Sequence, residues 1–128
     1  MRGTIAAGLL LAALAAQAAD GPVSFRQAIV PILKTRCAGC HMTGAEAGNM
    51  ALHPRAAYAS LVGVKSTETG LMRVQPGEPE QSYMLLKLEG RHLEKGGTGA
   101  RMPFAAAPLD PETIALVRRW IAEGAPDN

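Results

Sequence analysis

The segment Cys37-Ala38-Gly39-Cys40-His41 holds both cysteines of this 128-residue chain, and a histidine directly follows the second of them. Two thiols three residues apart, with an adjacent imidazole, form the C-x-x-C-H pattern typical of covalent c-type haem attachment. Positions three and four apart lie on one face of a helical turn, so all three side chains are expected to face the same side of a flat macrocycle. In this interpretation Cys37 and Cys40 form thioethers and His41 binds the iron.

Two other chemistries remain open to these residues. A redox dithiol or disulfide between Cys37 and Cys40 would close a very small loop, and a thioredoxin-like C-x-x-C needs a βαβ setting, for which strand signals are weak. A zinc ion bound by the segment together with His53 or His92 would lack the second closely spaced ligand pair usual in zinc modules. The pattern therefore favours haem.

The N-terminus has the layout of a secretory signal peptide. Arg2 precedes an apolar stretch from Ile5 to Ala16, and Ala16-Gln17-Ala18 provides a small-residue cleavage site. The stretch is shorter than the roughly 20 residues of a membrane span, although an uncleaved anchor is an alternative. We expect cleavage near Ala18 or Ala19 and a periplasmic or otherwise exported location in a bacterium. We expect no stable membrane insertion after cleavage. Residues 1–18 are thus predicted to be the signal peptide and 19–128 the mature domain.

Composition limits the partners of this domain. The chain carries 13 Lys and Arg residues against 11 Asp and Glu residues, without a basic run or stripe, which argues against nucleic acid as a partner. Aromatic residues make up only 4% of the chain. A domain this small and this poor in large rings is expected to have a thin core, to which a buried haem would add apolar surface.

The remaining signals predict an all-α fold with about four short helices and long loops wrapped around one covalently bound haem. Ser24 and Gln27 fit a capping box, and the helix they begin should be kinked or broken at Pro31 before it delivers Cys37. Short helices are predicted over 54–62 and 82–88. A final helix should start at the N-cap Asp110 and stop at Gly124, with an apolar stripe. The stripe consists of Ile114, Val117, Trp120 and Ile121.

Met102 is the best candidate for the second axial ligand of the iron. It lies on the glycine-rich loop 90–108, and Pro103 restricts its backbone to extended conformations, so its side chain can cover the far face of the haem. A thioether ligand raises the reduction potential and closes the iron to other ligands. Met50, Met72 and Met84 are expected to fill gaps in the core instead.

Further stretches resemble the class I, mono-haem cytochrome c domains, in particular small exported bacterial ones. The resemblance covers most of residues 24–125 and rests on Val30-Pro31-Ile32-Leu33, Val74-Gln75-Pro76-Gly77-Glu78-Pro79-Glu80 with Ser82, Arg101-Met102-Pro103, and Trp120-Ile121-Ala122-Glu123-Gly124-Ala125. It implies that Cys37 and Cys40 are linked to haem c, that His41 is the proximal iron ligand and that Met102 is the distal one. The Pro31 interruption departs from the continuous N-terminal helix of many such proteins.

The implied function is single-electron transfer between redox protein partners, by a carrier that is not itself an enzyme and acts as a monomer or as a subunit of a larger redox complex. The alternative is a haem-based sensor or enzyme in which Met102 is displaced or absent. His53 or His92 could replace Met102 as the sixth ligand, although surface positions are expected for both. Trp120 should pack against Phe25 or Ile29, or else against the haem edge.

Two details around the haem are also expected from the sequence. A backbone carbonyl in the segment 52–54 should accept the second ring N–H of His41. The haem propionates should pair with an arginine. Nothing in the sequence selects among the candidate arginines Arg55, Arg73, Arg91 and Arg101.

Overall fold

The chain is all-α, as predicted, in the residues 21–128 that a computed structural model describes. This part contains four α-helices and no β-strand, and their bounds are Val30–Arg36 (α1), Ala57–Leu61 (α2), Tyr83–Glu89 (α3) and Pro111–Ala122 (α4). Single π- and 3-10-helical turns and three isolated β-bridges complete it. No helix within 21–128 is both long and apolar enough to cross a membrane. The predicted signal peptide lies outside the described residues.

The predicted interruption at Pro31 takes the form of a change in helix type. Residues Phe25–Ile29 form a π-helical turn in which the amide of Val30 donates to the carbonyl of Phe25. Pro31 lacks an N–H group and therefore fits the first turn of α1, where no such bond is needed. The Ser24 half of the predicted capping box is confirmed, because its hydroxyl accepts the amide of Gln27 at 3.1 Å.

The N-terminal and C-terminal helical segments cross in the core, and Trp120 packs against Phe25, one of the alternatives expected from the sequence. The rings of Phe25 and Trp120 lie 5.2 Å apart between centroids, and Tyr58 meets the edge of Phe25 at 5.1 Å. Trp120 is fully buried, and its indole N–H donates to the carbonyl of Pro126 at 3.0 Å. Ile29, Leu33, Leu85, Val117 and Ile121 belong to the same core cluster.

Helix α4 follows its sequence signals closely. The Asp110 carboxylate accepts hydrogen bonds from the backbone amide and from the side-chain hydroxyl of Thr113, at 2.8 Å and 2.7 Å. Gly124 has a φ of +99°, a conformation that favours glycine and lets the chain leave the helix. A side-chain cap at one end and a glycine backbone conformation at the other therefore define the two ends of α4.

Replacing the cap tests this interpretation. We expect Asp110→Ala to lower the Tm by a few degrees, because it leaves the first-turn amides of α4 without their acceptor. Asp110→Asn is the matched control, since its amide oxygen still accepts the Thr113 amide. Thermal unfolding followed by circular dichroism compares the two, and an equal loss in both would contradict the capping role.

Two predicted helix boundaries differ from the structure. The helix expected over 54–62 begins only at Ala57, because the amides of Ala56 and Ala57 both donate to the carbonyl of His53 and form a separate turn. Helix α3 begins one residue later than expected and ends at Gly90, whose φ is +74°. A 3-10 turn at His92–Lys95 lies within the segment that was predicted to be loop throughout.

Helices α3 and α4 are joined by ion pairs at one end. The Arg118 guanidinium contacts the carboxylates of Glu80 and Glu89, each at 2.6 Å. Arg91 approaches the same two carboxylates at 3.0 Å and 3.1 Å. This four-residue network connects α4 to the helix from which the Met102 loop departs.

Candidate haem-attachment site

The Cys-His segment forms a single hydrogen-bonded turn directly after α1. The amides of Cys37 and Ala38 both donate to the carbonyl of Leu33, at 3.0 Å and 2.8 Å, where the helix ends. The Cys37 carbonyl then accepts the amides of Cys40 at 3.2 Å and His41 at 3.0 Å. The segment thus keeps the three- and four-residue spacing of a helical turn, although it lies beyond the last helical residue, Arg36.

The two thiols are not bonded to each other and differ in environment. Cys37 is half-buried and Cys40 is exposed. Burial raises the pKa of the Cys37 thiol to about 11, although the charge of Arg36 opposes the shift. A thiol with such a pKa supplies little thiolate at neutral pH, and thiolate is the form that redox exchange and zinc binding require. This environment weighs against the redox-dithiol alternative.

His41 has one ring nitrogen in an unsatisfied position. Its Nδ1 atom is buried and has no hydrogen-bond partner among residues 21–128. The predicted acceptor in segment 52–54 is wrong. That segment contacts His41 through the backbone instead, since the amide of Leu52 donates to the His41 carbonyl at 2.7 Å. With Nδ1 turned into the protein, Nε2 is the nitrogen left to bind a metal.

The loop that follows His41 is held by one carboxylate. Glu46 accepts the amide and hydroxyl of Thr43 at 3.0 Å and 2.9 Å, and the amide of Gly44 at 3.0 Å. Hydrogen bonds to the charged form, first from the backbone of Glu46 itself and then from Thr43 and Gly44, lower the pKa of Glu46 to about 2. The loop is therefore ordered by its own side chains, a role for Glu46 that the sequence reasoning missed.

Helix α3 positions Met102. The Met102 amide donates to the carbonyl of Lys87 at 3.0 Å, and the Lys87 ammonium donates to the carbonyls of Thr98 and Ala100 at 2.6 Å and 3.2 Å. Arg101 donates from Nε to the Leu88 carbonyl at 2.9 Å. The Met102–Pro103 peptide bond is cis. The Met102 amide and the residues just before Met102 are thus anchored to the end of α3.

A hydrogen bond links the two halves of the predicted site. The guanidinium of Arg36, the residue before Cys37, donates to the carbonyl of Ala107 at 2.8 Å across 71 positions of sequence. Cys37 and Met102 are both half-buried and pack against the same hydrophobic core. The structure therefore brings the Cys-His turn and the Met102 loop to the edge of one core. Met50 and Met84 pack against it as well, as predicted, whereas Met72, which was expected there too, is half-buried and is not among the side chains packed against this core.

The sequence predicted surface positions for the other two histidines, His53 and His92, and for His92 this prediction is wrong. His92 is buried, with 2% of its surface exposed, so the expected surface position is wrong. Its Nε2 atom lies 2.9 Å from the carbonyl of Gly99 and so helps to hold the loop that leads to Met102. His53 is half-buried. Within residues 21–128 no three His, Cys, Asp or Glu side chains lie close enough to hold a metal ion, which leaves the zinc alternative without a donor set there.

The four arginines that the sequence left as candidates for pairing with the haem propionates differ in their contacts and burial. Arg91 is paired with Glu80, Glu89 and Glu94, and Arg101 is bonded to the backbone of α3. Arg55 is exposed at the rim of a shallow cleft. Arg73 alone of the four is buried.

The residues present fit a covalently attached haem. The turn offers two unbridged thiols and a histidine with one buried ring nitrogen that has no partner among residues 21–128, and the loop held by α3 offers a half-buried thioether at the edge of the same core. Comparison with known proteins adds no assignment: no family model, no curated protein and no solved structure matches this chain.

Proposed function

We propose that the protein is an exported mono-haem c-type cytochrome of the class I type, which carries single electrons between redox protein partners. Cys37 and Cys40 form the thioethers, His41 is the proximal ligand and Met102 is the distal ligand. The observation that carries the proposal is the Cys-His turn joined to the Met102 loop through the Arg36–Ala107 hydrogen bond. That bond connects the segment of His41 to the loop of Met102, and Cys37 and Met102, one from each segment, pack against the same core.

The chain's own residues would fix the ligand geometry. Backbone hydrogen bonds within the turn orient Cys40 and His41, and the contacts of α3 with the loop orient Met102. The haem, when bound, supplies a one-electron couple at its iron. If His41 and Met102 both held the iron, no site would be left for a substrate, which favours a carrier over an enzyme.

Exposed apolar side chains next to both ligands support this proposal. Met42 directly follows His41 and is 45% exposed, and Phe104 lies two residues after Met102 and is 67% exposed. Single exposed apolar residues are common on protein surfaces, so the support lies in the position of these two next to the proposed ligands. A haem edge exposed near them would offer a route for electrons to a docked redox protein, whether the protein acts alone or as a subunit.

An optical and redox titration of the exported protein tests the proposal. The protein is produced together with haem-maturation machinery, and haem that survives a denaturing gel demonstrates covalent attachment. The expected spectrum is that of a six-coordinate His/Met iron that does not bind CO in the ferrous state. The double variant Cys37→Ala, Cys40→Ala is the control and should lose the covalent haem. CO binding by the unmodified protein would favour a small-ligand sensor or enzyme, and absence of haem would refute the proposal.

A further inference from the structure

Arg73 is a buried cation that has no role in the proposed haem attachment or iron ligation. Only 8% of its surface is exposed, and no carboxylate of residues 21–128 lies within ion-pair distance of its guanidinium. A buried charge without a counter-ion is costly, so it persists only where hydrogen bonds and function compensate it. Burial also lowers the pKa of the guanidinium, which nonetheless stays protonated.

The guanidinium of Arg73 is bonded entirely to backbone carbonyls. One nitrogen donates to Ser60 at the end of α2 at 2.7 Å, and the other donates to Gly48 at 2.7 Å and Asn49 at 3.2 Å. Gly48 and Asn49 have φ angles of +85° and +50°, so this part of the loop has an unusual backbone. The planar fork of an arginine donates from separate nitrogens in fixed directions and so suits holding two segments at once, whereas a lysine offers a single ammonium nitrogen.

The loop held by Arg73 lies against His41. A Cβ atom added at Gly48 would be 3.9 Å from Cε1 of His41 and 3.2 Å from the terminal methyl of Met50. Three residues after Asn49, the amide of Leu52 donates to the His41 carbonyl. Arg73 therefore clamps the segment that contacts both the ring and the backbone of the proximal histidine.

We propose that Arg73 is a positioning residue for His41 and that its unpaired charge raises the reduction potential of the haem iron. This inference rests on the proposed function, because it concerns the proximal ligand of that haem. The clamp keeps the histidine ring in place through Gly48 and Asn49. The positive charge, which no carboxylate of the described residues neutralises, favours the ferrous over the ferric iron, because the ferrous state carries one positive charge less.

Two variants separate the charge from the clamp. Arg73→Gln removes the charge and most of the hydrogen bonds, whereas Arg73→Lys keeps the charge and loses the fork. We expect a lower reduction potential for Arg73→Gln and a value near that of the unmodified protein for Arg73→Lys. The control is Arg26→Gln, because Arg26 is exposed and its only ion pair among the described residues is with Asp127. A potential of Arg73→Gln equal to that of the control, or an equal shift in both Arg73 variants, would overturn the charge assignment.

Amide hydrogen exchange tests the clamp without reference to the haem. We expect protection of the Leu52 amide to fall roughly tenfold or more in both Arg73 variants, and not in Arg26→Gln. Unchanged protection would overturn the positioning role, and Arg73→Lys decides the matter if Arg73→Gln fails to fold. Absence of covalent haem in the unmodified protein would refute the proposed function, whereas normal haem with unaffected Arg73 variants would refute only this inference.

Discussion

Met102→Ala is expected to lower the reduction potential of the haem iron by on the order of 0.1–0.3 V, within the span of about 0.8 V that axial ligands cover. A thioether ligand favours the ferrous state, and alanine leaves the sixth position vacant or open to water. The Met102 amide and the anchoring contacts of Arg101 and Lys87 involve other atoms, so the loop should keep its path. The variant should consequently bind CO in the ferrous state and imidazole in the ferric state.

The matched control is Met50→Ala. Met50 is also half-buried and packs against the same core, but it lies beside Gly48 on the His41 side of the site. Its removal should affect stability without opening the iron to CO. Optical titration with CO and imidazole, together with potentiometry, compares the two variants. An unaltered spectrum and potential in Met102→Ala would exclude Met102 as the ligand and reopen the question for the other methionines and histidines.

Trp120→Ala is expected to destabilise the protein by about 3–5 kcal/mol, the usual cost of removing a large buried aromatic side chain. Trp120 is completely buried, stacks at a tilt on Phe25 and bonds to the carbonyl of Pro126. Its loss would leave a cavity where α4 crosses the N-terminal helical segment. Because α1 delivers Cys37, loosening of this crossing should also reduce haem retention during maturation.

Trp120→Phe separates packing from the hydrogen bond. It keeps an aromatic ring against Phe25 and loses the indole N–H, so its destabilisation should be clearly smaller than that of Trp120→Ala. Denaturant unfolding of both variants, with haem content measured per protein, gives the comparison. Wild-type stability and haem content in Trp120→Ala would contradict the role of this crossing.

The features predicted correctly depend on residues close together in the chain. The Ser24 hydroxyl accepts a hydrogen bond from the amide three residues later, and the Asp110 carboxylate does the same. Gly90 ends α3 because glycine adopts a positive φ without steric cost, and Pro31 interrupts the first helix because it has no N–H. Such interactions form within one turn, so residue type and spacing are sufficient to predict them.

The features that the sequence did not predict depend on contacts between residues that lie more than one helical turn apart in the chain. The burial of His92 follows from packing of the 3-10 turn against the chain that leads to Met102, and nothing near His92 in sequence signals it. The Nδ1 atom of His41 has no hydrogen-bond partner among residues 21–128, and segment 52–54 meets His41 through the Leu52 amide on the His41 backbone carbonyl instead. Spacing alone predicts that two segments meet but not which backbone groups face each other.

The sequence by itself determined the all-α class, the Ser24 cap, the ends of α4 and the candidate ligands Cys37, Cys40, His41 and Met102, because each depends on side-chain chemistry and short-range spacing. Only the tertiary structure decided which contacts hold those residues in place. Arg36 reaches Ala107 across 71 positions, and Arg73 reaches Gly48 across 25. An arginine has the same local signature whether it lies in solvent or in the core, so only the packing of distant segments selects Arg73 from its exposed or already paired counterparts.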